Sequence, residues 1–173
     1  VDLTKVKKVM DIGTGAGFPG VPLKIAFPHL EECLLDSLKK RVTFLEETFD
    51  ILGFDKIAAI HGRAEEFAKN KAYREQYDLC VSRAVSNLST LSEYCLPYVK
   101  KGGMFISYKS GKVQEEAESA ARAIRLLGGE IKDICYFTLP DSEIERSLVV
   151  IEKVKNTPGK YPRKAGTPLK EPL

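Results

Sequence analysis

Between Val9 and Gly20 the sequence reads Val-Met-Asp-Ile-Gly-Thr-Gly-Ala-Gly-Phe-Pro-Gly, and this stretch constrains the fold more than any other. An apolar run stops at Ile12, and Gly13, Gly15 and Gly17 follow at two-residue spacing. Glycines there let the backbone turn sharply and let a ligand approach without a Cβ in the way. A second apolar run closes on Asp36, 23 residues after Gly13. In a doubly wound sheet that position lies beside the loop, where a carboxylate can accept both ribose hydroxyls of an adenosine. Strand, glycine loop, helix and acid together point to an α/β fold with an adenosine-type cofactor site.

The rest of the chain keeps the same rhythm. Short apolar runs at Lys8–Ile12, Glu32–Asp36, Ile57–His61, Tyr77–Ser82 and Met104–Tyr108 read as strands buried on both faces. Helical patterns separate them. Leu38, Val42, Leu45, Phe49 and Leu52 share one helix face, with Ser37 as the expected N-cap and Gly53 just past the end. Further helices are expected over Leu88–Tyr94 and about Val113–Leu127. Ile131–Leu139 and Ser147–Val154 have only a short polar link between them, which leaves no room for a crossover helix and predicts an antiparallel pair. The expected architecture is a Rossmann-like, mostly parallel seven-stranded sheet with helices on both faces and a C-terminal antiparallel hairpin.

With 173 residues the chain can build one real core but hardly two. Residues 1–155 form the expected domain, and 156–173 read as an extended basic tail rich in proline and glycine, without hydrophobic periodicity. Lys155 to Leu173 carries a net charge of +4, whereas the remainder sums to about −1. Cys33, Cys80, Cys95 and Cys135 stand singly in apolar surroundings, which predicts buried reduced thiols and neither a disulfide frame nor a metal site. The polar, basic start resembles no signal peptide, and no apolar run approaches the roughly 20 residues of a membrane helix. A cytoplasmic protein without a membrane partner is expected.

The loop alone does not choose its cofactor. Gly15-Ala-Gly-Phe-Pro-Gly20 also satisfies the dinucleotide pattern, so a nicotinamide oxidoreductase stays open. Against it stand Pro19 at the point where the helix should open and the lack of a substrate domain. A non-catalytic RNA- or ribosome-binding module and a small-molecule methyltransferase also stay open, since fold does not fix function.

With these residues in view, the chain resembles the RsmG (GidB) family, which methylates N7 of a guanine in bacterial 16S ribosomal RNA. The matching segments are Asp11–Gly20, Leu35–Leu45, Gly62–Glu66, Val81–Ala84, Arg146–Val150 and Asn156–Pro168. The resemblance implies S-adenosylmethionine as cofactor, held by Gly13, Gly15, Gly17, Phe18, Asp36, Ser37, Ala64, Glu65 and Arg83. Asp36 would take the ribose, Ala64 and Glu65 would border the adenine, and Arg83 would reach the methionine end or the RNA. The substrate would be 16S ribosomal RNA or the small subunit, met by a monomer. The resemblance also implies a helical region ahead of the glycine loop, whereas this sequence starts nearly at its first strand, so contacts from that region are expected to be missing.

Guanine N7 carries a lone pair and no proton, so its methylation needs alignment and exclusion of water but no general base. The sequence has neither an Asn/Asp-Pro-Pro-aromatic motif after the fourth strand nor a cysteine following a proline. Arg83 is therefore expected to act by positioning. Expected RNA contacts are Arg41, Lys109 at the end of the fifth strand, and Lys160, Tyr161, Arg163 and Lys164 in the tail, where charge and an aromatic suit phosphate and base stacking.

Overall fold

The computed structural model describes residues 1–83 and 86–173; Ala84, the end of one of the matching segments, and Val85 lie outside them. Seven strands, β1 (Lys8–Ile12), β2 (Glu31–Asp36), β3 (Ile57–His61), β4 (Tyr77–Arg83), β5 (Val99–Ser110), β6 (Gly129–Thr138) and β7 (Glu145–Lys153), form one sheet in the order β3-β2-β1-β4-β5-β7-β6. β1 to β5 pair in parallel. β7 pairs antiparallel with both β5 and β6, as the short link after β6 requires. The helices are α1 (Gly20–Ala26), α2 (Lys39–Leu52), α3 (Ala64–Phe67), α4 (Leu88–Cys95), α5 (Gln114–Leu126) and α6 (Thr167–Lys170).

Two faces of the sheet are packed differently. Leu34 takes Leu45 and Phe49 from α2 on one side. On the other, Met10, Cys80 and Phe105 meet Leu91 and Cys95 of α4 and Ala117, Ala120 and Ile124 of α5. The alanines of α5 let it approach closely. α2 ends where expected: Gly53 sits at φ 63°, and its N–H donates to the Asp50 and Phe49 carbonyls. β1 lies between β2 and β4, so the chain leaves it in opposite directions and a crevice opens at the carboxyl ends of these strands.

Four expectations need correction. Ser37 does not cap α2; the N-cap is Leu38, and the Asp36 carboxylate accepts the Leu38 N–H at 2.9 Å. β5 begins at Val99 rather than Met104, because Val99 pairs with Tyr77 ahead of Gly102 and Gly103. Cys135 is exposed, since it lies on the edge strand β6. The segment from Asn156 onward is folded back on the domain, with Thr157, Tyr161 and Pro168 buried.

Several charged groups are buried. Lys153 is fully buried, and its ammonium donates to the carbonyls of Leu96 (2.6 Å) and Val99 (3.0 Å) and to Thr157 Oγ1 (2.8 Å), with Glu75 at 3.2 Å. Burial draws its pKa down to about 8, against the pull of Glu75. Lys24 donates to the carbonyls of Pro28 and Leu30. Glu32 is 4% exposed with neither carboxylate oxygen hydrogen-bonded to a described residue, and burial pushes its pKa up to about 8 despite the Lys24 charge.

Candidate cofactor site and substrate cleft

The glycine loop is pinned from beneath and from the side. Gly13 and Thr14 donate backbone N–H groups to the Leu35 carbonyl, at 2.8 and 3.2 Å, which ties the loop to β2. Asp11 is fully buried, and its Oδ2 accepts the Thr14 hydroxyl (2.7 Å) and the Gly20 N–H (2.9 Å). Its Oδ1 has no partner among the described residues, and desolvation raises its carboxyl to about 6, against those two hydrogen bonds. Gly17 stands at φ 93°, and a Cβ there would meet Val21 at 2.6 Å and Leu45 at 2.9 Å. A Cβ at Gly15 would meet nothing within 4 Å. Gly17 therefore serves packing, whereas Gly15 borders open space.

Asp36 completes the loop. Its Oδ2 accepts the Gly15 N–H at 2.9 Å, and Arg41 Nη1 lies 3.3 Å from the same oxygen. Among the described residues, Oδ1 receives only the Leu38 N–H. A carboxylate offers about four acceptor sites, so capacity remains for a ribose hydroxyl. Arg41 is half-exposed and can swing aside to free another.

Two adjoining cavities run along these residues. One, of about 370 Å³, is lined by Gly13, Thr14, Gly15, Ala16, Phe18, Asp36, Ser37, Arg41 and Arg83. The second, of about 190 Å³, shares Gly13 and Ser37 and adds Ile12, Leu35, Gly62, Arg63, Ala64, Glu65, Ser86, Tyr94 and Leu169. A polar chamber beside the glycines and a narrower, more apolar slot beside Leu35 and Tyr94 suit the polar ribose–methionine part and the purine of S-adenosylmethionine. The residues present fit that group.

A third cavity, of about 680 Å³, begins at Arg83 and continues past Tyr108, Lys109, Ser110, Phe137, Leu139, Arg146 and Ser147. Arg83 thus lines both the glycine-loop chamber and this cleft. Its guanidinium sits 5.5 Å from the centroid of the Phe18 ring, closing a cation–π pair across the boundary.

Of the residues expected from the sequence, Gly13, Gly15, Phe18, Asp36, Ser37 and Arg83 come together at the first chamber, and Ala64 and Glu65 at the slot. Arg41 joins the cofactor chamber through Asp36. Lys109 lines the cleft, but its ammonium is tied at 2.7 Å to both the Ser86 carbonyl and Glu116. In the tail, Tyr161 is 7% exposed and Arg163 forms a bidentate pair with buried Glu93, while Lys160 and Lys164 remain exposed. Sequence reasoning gave no role to Asp11, Tyr94, Phe137, Arg146 or Leu169. Only Asp11 carried a local signal, an acid directly ahead of the loop.

The family model described as rRNA small subunit methyltransferase G (GidB) matches residues 1–148. The chain belongs to the rRNA small subunit methyltransferase G family. Among its relatives, the ribosomal RNA small subunit methyltransferase G of Exiguobacterium sp. is 54% identical over 172 residues, 99% of this chain and 72% of the relative. That of Listeria monocytogenes serotype 4b is 51% identical over 173 residues, covering 100% and 73%. The S-adenosylmethionine-dependent methyltransferase SibL has a similar structure, with a TM-score of 0.64 at 16% identity over 89% of this chain and 52% of that one. Sheet order and this likeness make the fold that of class I S-adenosylmethionine-dependent methyltransferases. The glycine loop, Asp36 and Arg83 all fall within the part of the methyltransferase G family member that the model matches.

Proposed function

We propose that this chain transfers the methyl group of S-adenosylmethionine to N7 of a guanine in 16S ribosomal RNA. The observation that carries the reading is the meeting of two cavities at Arg83, one built on the glycine loop and Asp36, the other open and edged by aromatic and basic side chains. The bound cofactor supplies an electrophilic methyl group on a sulfonium. Gly13, Gly15 and Asp36 hold its ribose and methionine end, and Ala64 and Glu65 border its adenine. In the cleft, Tyr108 and Phe137 offer ring faces for a base, and Arg146 offers a charge for a phosphate. Arg83 stands between the two and aligns them. The acceptor nitrogen has a free lone pair, so no side chain has to remove a proton, and buried Asp11 under the loop serves as scaffold.

Arg41, Lys160 and Lys164 would add phosphate contacts from the rim, and the working compartment would be the cytoplasm. The reading is tested by calorimetric titration with S-adenosylhomocysteine, NAD and NADP. Aniline-induced cleavage of borohydride-reduced 16S RNA, naked or in the small subunit, then follows incubation with cofactor. Binding of the homocysteine product alone, lost at least tenfold in Asp36→Ala, with cofactor-dependent cleavage at one guanine, supports it. Preferential binding of NAD or NADP, or cofactor binding with no modified guanine in either substrate, would overturn it.

A further inference from the structure

The C-terminal segment makes more specific contacts than a solvated basic arm needs. The Arg74 guanidinium donates to the carbonyls of Thr157 (2.8 Å) and Tyr161 (2.9 Å), and the Thr157 N–H donates to Glu75 at 2.7 Å. Further on, Arg163 grips Glu93, a fully buried carboxylate on α4, through Nε and Nη2 at 2.7–3.1 Å and through its own backbone N–H at 2.8 Å. Thr90 Oγ1 donates to the Pro168 carbonyl at 2.9 Å. The Gly166 N–H donates to Glu65 Oε1 at 2.8 Å. Arg163, committed to a buried anchor, is unavailable for RNA, so the docked part of the segment has a further use.

Its course shows what that use is. After the Glu93 and Glu65 anchors, α6 delivers Leu169 to the narrow slot at the ends of β1 and β2, facing Ile12, Leu35 and Tyr94. Leu169 is 61% exposed, so the protein alone does not bury it. A flat apolar ligand in the slot would take that side chain out of water. We propose that Leu169 is an adenine-contacting residue, and that the strap formed by residues 156–173 is one wall of the cofactor site. The inference rests on the reading that the cofactor carries adenosine. Glu65 then has a second duty: by holding the Gly166 N–H it fixes the wall on the side where the adenine lies.

The test compares the parent with Leu169→Ala and Leu169→Met by calorimetric titration with S-adenosylhomocysteine and with 5′-methylthioadenosine, which keeps the adenine and lacks the amino-acid end. Burial of part of a leucine side chain against a ring predicts about three- to tenfold weaker binding of both ligands to Leu169→Ala. The loss should be equal for the two ligands, with near-parent affinity for Leu169→Met. Since the side chain is exposed, the ligand-free melting temperature should stay at the parent value. Affinities for both ligands within twofold of the parent in Leu169→Ala would overturn the inference. So would a loss confined to RNA binding, which would make the strap an RNA arm. A parent that binds neither ligand would instead remove the adenosine reading itself, and the inference with it.

Discussion

Glu32 lends itself to a quantitative experiment because its carboxylate is buried, lacks hydrogen-bond partners among the described residues and can be replaced by an isosteric amide. In the folded protein burial moves its pKa to about 8, from the 4.5 of an ordinary glutamate in the unfolded chain. Between those values the unfolded chain has released a proton that the folded chain keeps. Stability therefore falls as pH rises, by about 1.4 kcal/mol per pH unit at most. Two other groups bound the useful window. Asp11, raised to about 6, has the same sign but is largely titrated by pH 6.5. Lys153, lowered to about 8, acts in the opposite sense from there toward 10.5, where the unfolded chain still holds a proton that the folded one has lost. Between pH 6.5 and 8 the Glu32 contribution is about 1.5 kcal/mol. For a chain of this size that is about 3–6 °C in melting temperature. Glu32→Gln cannot titrate, so its melting temperature minus that of the parent should widen by this amount across the window, as followed by circular dichroism. A difference that stays within 1 °C from pH 6.5 to 8 would show that Glu32 is not held protonated and that Lys24 or water satisfies it.

Gly17→Ala should lower the melting temperature by about 4–10 °C, from about 2 kcal/mol of positive-φ strain plus the clash with Val21 and Leu45; a thermal melt at the parent temperature would mean the loop can be rebuilt freely. Arg163→Met leaves buried Glu93 without its guanidinium and should cost about 3 kcal/mol in urea unfolding, part of which Glu93→Gln in the same background should restore. An unchanged urea midpoint in Arg163→Met would show that the pair does not anchor the strap.

The parts of the site that were legible in the sequence are those built from neighbours in the chain. The glycine loop and Asp36 sit on successive strands, and the register Ile12 to Leu35 brings them together with no information from elsewhere. Strand and helix positions followed from apolar spacing, most directly for the central strands β1, β2 and β4, which are buried almost throughout; β3 has no fully buried residue and was legible from its short apolar run alone. The misread pieces depended on a competitor or on distance. Ser37 lost the cap position because the Asp36 carboxylate reaches the Leu38 N–H first. The tail was read from its prolines and glycines, which do preclude long regular elements. Its backbone groups are instead satisfied by Arg74, Glu75, Glu65 and Glu93, side chains with nothing in their local sequence to mark that role. Likewise, no pattern near Leu169 could place it beside Ile12.

Glu65 and Glu93 find their strap partners 101 and 70 residues further along the chain. Both carboxylates can therefore be buried with partners only once loops of that length have closed. Helices and neighbouring strand pairs close shorter loops, so docking of the strap belongs to the slow, late part of folding. A folding chain whose strap has not yet docked carries two unmatched acids at the places where the native molecule pairs them with Gly166 and Arg163.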